Sequence, residues 1–247
     1  MEAREAKLIL HCGGKAVERK ELDLIPMPEA TGTYYPVSHY GLANKLLTIT
    51  QDILTGFELM DESYGVAREG LQLFGLLQFK NGSDMALAIG FRNSYDKSMS
   101  IGLACGASVF VCDNLALSGE IVVMRKHTKN VWAELEEKAI TTCYRASHTY
   151  KQIVGEAEAL KQIAYDDDRA YADLGVLYGH DIISPRQLTV AVKEWRKPSH
   201  DAFNPRNAWS LYNAVTESLK TSPPQEVMEN HVSLHDFYKE RVIDVAA

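Results

Sequence analysis

Apolar and polar positions alternate with two different periods along the chain. Three apolar runs, Leu71 to Lys80, Met85 to Ser94 and Met99 to Cys112, stand between short polar breaks. The first break holds Asn81-Gly82, and both residues tolerate the positive φ of a type I′ turn, so it predicts a hairpin. The second, Tyr95-Asp96-Lys97-Ser98, predicts another turn. Together they predict an antiparallel meander. Lys7 to Cys12 and Ala16 to Leu24 read as two short strands around Gly13-Gly14. Phe57 to Arg68 reads as a strand with Gly65 as a bulge, and Glu120 to Arg125 as one more strand. One helix interrupts this half. Ser38 is its predicted N-cap, Leu42, Leu46, Ile49 and Ile53 share a face, and Gly56 ends it.

From Val131 the period changes to 3.6. Trp132, Leu135, Ala139, Ile140 and Cys143 mark an inward helical face, continued by Ile153, Ala157, Leu160 and Ala164. Gly155 interrupts it at a cost of about 1 kcal/mol, which a long helix absorbs. Ser184-Pro185 and Asn204-Pro205 each predict a helix start, and Pro223-Pro224 precedes a last helix through Val227, Val232, Leu234, Phe237 and Val242. Strands before residue 128 and helices after 129 give the α+β pattern. The expected fold is an antiparallel β-sheet (meander) in the N-terminal half, covered by helices mostly from the C-terminal half. The expectation is a single domain over residues 1–247, with no internal repeat.

Composition narrows the function classes. A net charge of −7 over 247 residues argues against a dedicated duplex-DNA binder but leaves room for a local basic groove. Cys12, Cys105, Cys112 and Cys143 show no CxxC spacing, so free, mostly buried thiols in a reducing compartment are expected. No signal-peptide core or apolar run of about 20 residues is present, which predicts a cytoplasmic protein with no membrane partner.

Aromatic and basic residues offer the leading chemistry. Tyr34, Tyr35, His39 and Tyr40 precede a helix, and single-strand binders stack bases on such aromatics beside basic groups. The candidate nucleic-acid set is Tyr34, Tyr35, Arg92, Asn93, Lys97, Arg125, Lys126 and Lys129, with Lys45, Arg68 and Lys80 as further charge. The competing reading makes Arg92, Asn93, Asp96 and Lys97 turn chemistry, with Arg92 paired to a carboxylate. Trp209, Asn213, Thr216 and Glu217 lie near one helical face and read as a clamp to the sheet, or as a binding site. Mid-helix Asn213 is expected to bond outside its helix, toward the central turn.

Other groups carry less. Cys112 needs a base that sequence cannot place among His127, His148 and His231. His231 and His235 have metal-compatible i,i+4 spacing but no HExxH glutamate, so two solvated histidines are expected, with Asp236 beside them. Asp166-Asp167-Asp168, with Glu156 or Glu158 nearby, reads as a solvated helix start rather than a cation site. No catalytic residue, metal or cofactor is assigned.

Three stretches resemble a phage- and plasmid-borne family catalogued as a domain of unknown function. They are Phe91-Arg92-Asn93-Ser94-Tyr95-Asp96-Lys97-Ser98, Val111-Cys112-Asp113-Asn114-Leu115, and Asn207 to Glu217 with His231 downstream. The resemblance spans roughly residues 40 to 240, and it departs at Tyr95, where the family more often carries His. It implies a mobile-element origin, a setting inside the host cell and no established activity. The leading expectation is a non-enzymatic accessory protein that binds single-stranded nucleic acid, as a homo-oligomer. The alternatives are a host-protein-binding factor, such as an inhibitor of a defence system, and a hydrolase using His and Asp.

Overall fold

A computed structural model describes residues 14–81, 85–109, 115–117, 123–125, 127–223 and 226–243. The expected strand at Lys7 to Cys12, the Gly82 position of the hairpin turn, and Cys112-Asp113-Asn114 lie outside the described residues.

The architecture is α+β. Strands β1 (Lys15–Val17), β2 (Glu58–Ala67), β3 (Gln72–Lys80), β4 (Met85–Ser94) and β5 (Ile101–Val109) run as an antiparallel meander in sequence order. Two short strands, β6 (Leu115–Leu117) and β7 (Val123–Arg125), share the outer edge of β5. The predicted bulge at Gly65 is absent: Gly65 pairs regularly with Phe74, and the register shifts at Met60 instead. The predicted second strand at Ala16 to Leu24 is mostly helical. After Val17 the chain forms α1 (Arg19–Leu22), because the Glu21 carboxylate accepts the Glu18 N–H at 2.7 Å and closes a capping box.

The two faces of the sheet differ. Leu73, Leu77, Leu87, Ile89, Phe91, Leu103 and Cys105 belong to the main core. That core is shared with α2 (His39–Ile53) and the long α3 (Val131–Gln162). Ser38 caps α2 as expected, its Oγ accepting the Gly41 N–H at 3.1 Å. Cys105 and Cys143 are free and buried between β5 and α3, and burial pushes the Cys143 thiol up to about 12, so both are inert. The opposite face carries Phe74, Leu76, Ala88 and Ala104 under Val227 and Met228 of α7 (Val227–Tyr238).

The helical half adds α4 (Asp167–Gly179), α5 (Pro185–Arg196) and α6 (Ala208–Leu219), then α7 and a π-helical turn, Lys239–Ile243. Ser184 and Gln187 form the capping box that opens α5. The start expected at Asn204-Pro205 moves to Asn207. Residues Ile163 to Tyr165 bond to Arg206 and Ala208 across an Ala164–Asn207 bridge, which holds the chain extended until Asn207 caps α6.

Candidate nucleic-acid interface

One end of the sheet gathers most of the candidate residues. It consists of the β2–β3 turn, the β4–β5 turn, the start of α2 and the segment leading into α3. A buried polar network joins them. Asn93, the ninth residue of β4, is fully buried and donates through Nδ2 to the Val37 carbonyl at 2.6 Å and to His39 Nδ1 at 2.9 Å. His39 Nε2 then donates to the Gly70 carbonyl at 3.0 Å, so its tautomer is fixed by both neighbours. Tyr95 stacks on His39 at 3.8 Å, and its hydroxyl accepts the His39 backbone N–H at 2.8 Å. Burial lowers the His39 pKa to about 4, outweighing the Gly70 bond, so the ring is neutral.

Above this network lie two strained turns. Arg68, Glu69 and Gly70 have φ values of 49°, 58° and 91°, and Lys97 has 62°. Left-handed backbone costs a non-glycine residue about 1–2 kcal/mol, and such strain concentrates at ligand-gripping sites. Asp96 ties the two turns together. It faces Arg68 Nη1 at 3.3 Å, accepts from Gln72 Nε2 at 3.1 Å, and is bonded by both the N–H and the hydroxyl of Ser98. Burial pushes the Asp96 carboxyl up, but the Ser98 and Gln72 bonds and Arg68 win and hold it below its ordinary value.

Tyr34 donates to the Ser94 carbonyl at 3.1 Å, and Lys97 sits over its ring at 4.8 Å. Its other neighbour is His127, with ring centroids 5.0 Å apart. His127 is buried, neither ring nitrogen has a hydrogen-bond partner among the described residues, and burial lowers its pKa. The Tyr35 N–H bonds to the His127 carbonyl at 3.0 Å, which brings Lys129 and Trp132 to the same end. Trp132 is 39% exposed, and its indole edge lies over Gly41, where a Cβ would come within 3.3 Å of it.

The candidate set therefore divides. Tyr35, Lys97 and Lys129 reach the surface here, and the Arg125 backbone pairs with Ile101 at this end of β5. The Arg125 side chain and all of Lys126 lie outside the described residues. Tyr34 and Asn93, by contrast, are buried beneath this surface. Arg92 points to the opposite face and forks onto Glu229 of α7 at 2.6 and 2.7 Å, which is the carboxylate pairing expected of turn chemistry. Trp132 was missed as a surface residue. The helical period places it with Leu135 and Ala139, but the buried stripe runs through Val131, Leu135, Ala139, Thr142 and Cys143, one position away.

The other candidates lie in the helical half. On α6, Asn213 Nδ2 donates to the Trp209 carbonyl at 2.9 Å, one turn back in its own helix. The Thr216 hydroxyl donates to the Asn213 carbonyl, and Glu217 pairs with Lys220 at 2.5 Å. Trp209 stacks on Tyr212 with centroids 5.2 Å apart. His231 and His235 are buried, not solvated, because α7 packs on both sides. His235 Nε2 lies 2.9 Å from Glu156 Oε2, while His148 is exposed on α3. Asp166 caps α4, and Asp167 accepts Trp195 Nε1 at 2.9 Å. Among the described residues no group of three or more His, Cys, Asp or Glu could hold a metal ion. Among them, also, no helix is long and apolar enough to cross a membrane.

Comparison with protein-family models, with curated proteins and with solved structures finds no match to this chain.

Proposed function

We propose that the chain binds single-stranded nucleic acid at the turn end of its sheet, as a non-enzymatic accessory protein of a mobile element acting in the host cytoplasm. The observation that carries this reading is an exposed Trp132 over Gly41 at the start of α2, at the end of the sheet where half-buried Tyr35, Lys97 and Lys129 also lie. An aromatic platform flanked by cations suits a strand whose bases are unstacked, whereas a duplex hides its bases. Asp96 is ionised and paired with Arg68, so the cations left to meet phosphate are Lys97 and Lys129. The family resemblance supports the mobile-element setting.

Fluorescence anisotropy with labelled oligothymidylate at low and moderate salt, against a duplex control, tests the reading. The expected result is salt-sensitive binding that prefers the single strand and quenches tryptophan emission, since Trp195 and Trp209 are buried. Trp132→Ala should weaken binding about tenfold, as one base–aromatic stack is worth about 1–3 kcal/mol. No binding at low salt would overturn it. A second reading, a host-protein partner, is favoured by one feature. Leu24, Met27 and Leu71 are exposed around the contact of Ile25 with Gly70, and capture of a host protein that Leu71→Asp abolishes would support it.

A further inference from the structure

Glycine stands at a position of α2 where the backbone does not ask for it. Gly41 is the third residue of the helix, and its N–H donates to the Oγ of the Ser38 cap at 3.1 Å. The left-handed glycines among the described residues are Gly56 and Gly70, so Gly41 is not one of them. A glycine inside a helix weakens it relative to alanine, so a reason for this one has to come from outside α2. The reason lies on α3. A Cβ at Gly41 would come within 3.3 Å of Trp132 Cη2, the tip of the six-membered ring, and within 3.3 Å of Ser38 Cβ. Both approaches are tighter than ordinary van der Waals contact, so the bare backbone forms a notch that the indole tip fills.

The helices around the notch are pinned. One turn further along both, Lys45 of α2 meets Glu136 of α3 at 2.7 Å, so Gly41 with Trp132 and Lys45 with Glu136 form successive rungs of one seam. Trp132 is exposed, and its indole has no hydrogen bond, ion pair or ring contact among the described residues. The shape of the seam, not a polar partner, holds it. An exposed aromatic side chain that is free to change rotamer loses that freedom when it stacks on a base, whereas one already seated has nothing to lose. A methyl group at position 41 could be relieved by moving α2 or by moving the ring. The Ser38 cap and the Lys45–Glu136 pair resist the first, and the solvent side of Trp132 leaves the second open.

We propose, on the reading that Trp132 stacks the bases of a single strand, that Gly41 is the positioning residue of this platform. Its missing side chain seats the indole in one pose and so prepares it for stacking. Gly41 acts through Trp132 and not on the strand.

The test is Gly41→Ala in the full chain, alone and combined with Trp132→Ala, with labelled oligothymidylate as the probe. Gly41→Ala should weaken binding about two- to tenfold, the cost of ordering one loosened side chain. Its unfolding midpoint should hold or rise, because alanine is the better helix former. Iodide should quench its tryptophan emission more than the parent's, since Trp195 and Trp209 are buried and Trp132 would swing outward. In the Trp132→Ala background the same substitution should leave affinity unchanged. If the parent binds, Trp132→Ala weakens it and Gly41→Ala does nothing, the positioning role is overturned and the platform stands. Equal loss from Gly41→Ala in both backgrounds, or a loss that comes with a lower unfolding midpoint, would make Gly41 a packing residue and overturn the role as well. Absence of binding by the parent would overturn the platform, and the positioning role with it.

Discussion

Gly75 sits directly opposite Phe91 in the β3–β4 register. A Cβ added at Gly75 would lie 2.2 Å from Phe91 Cζ and 2.6 and 2.7 Å from its two Cε atoms. Ordinary contact needs at least 3.4 Å, so the ring would have to retreat by more than an ångström. It has little room: Phe91 is fully buried, and Tyr64 packs edge-on with centroids 6.2 Å apart. The phenyl ring lies over the glycine and covers its bare backbone, a cross-strand arrangement that replaces the missing side chain. Overpacking costs about 1–3 kcal/mol, and this clash belongs at the upper end. Replacing glycine returns about 0.5–1 kcal/mol of chain entropy. Gly75→Ala should therefore destabilise by about 2 kcal/mol, a fall in Tm of about 4–8 °C at this chain length. Urea unfolding would measure it, with an unchanged m-value showing that the native surface is kept. In a Phe91→Leu background the clash disappears, and Gly75→Ala should cost close to nothing. Equal cost in both backgrounds, or a loss below about 0.5 kcal/mol in the parent, would refute the argument.

Two further outcomes follow from buried and open sites. His39 has a folded pKa of about 4 against 6.5 in the unfolded chain, so the unfolded state holds the extra proton between those values. Stability should then fall as pH drops from about 6.5 to about 4, by up to about 3 kcal/mol from this group, with His127 adding in the same direction. Unfolding titrations at several pH values would show it, and His39→Gln should flatten the slope; an unchanged slope would count against the buried neutral ring. Gly155 lies mid-helix on α3 with open space where its Cβ would be. Gly155→Ala should stabilise by about 0.5–1 kcal/mol, read by thermal melting, and a loss would mean that the face is covered.

Local signals carried the meander, the Ser38 cap, the Ser184-Pro185 start and the continuity of α3 through Gly155. Each rests on a few adjacent residues and a fixed period. What sequence hid depended on distant partners. Arg92 reads as a turn cation, but Glu229, 137 residues later, draws it under α7. Asn93 reads as a turn residue, but Val37 and His39 bury it. The Asn204-Pro205 signal is locally sound and loses to pairing with Ala164. The buried state of His231 and His235 follows from helix packing that a single amphipathic stripe does not encode. Trp132 escaped because one position of phase on a helix turns a core residue outward.

The 32 residues of α3 make it about 48 Å long. Trp132 opens it near the strained turns, and Glu156 grips His235 toward its other end. Those two anchor points stand about 36 Å apart along a single axis. At physiological salt, charge is screened over about 8 Å, so whatever loads one end is electrostatically silent to the other. The helix thus acts as a strut that imposes a fixed stand-off. Substitutions at its two ends should add without coupling, and any communication between them has to travel as bending of the rod, for which Gly155 is the softest point.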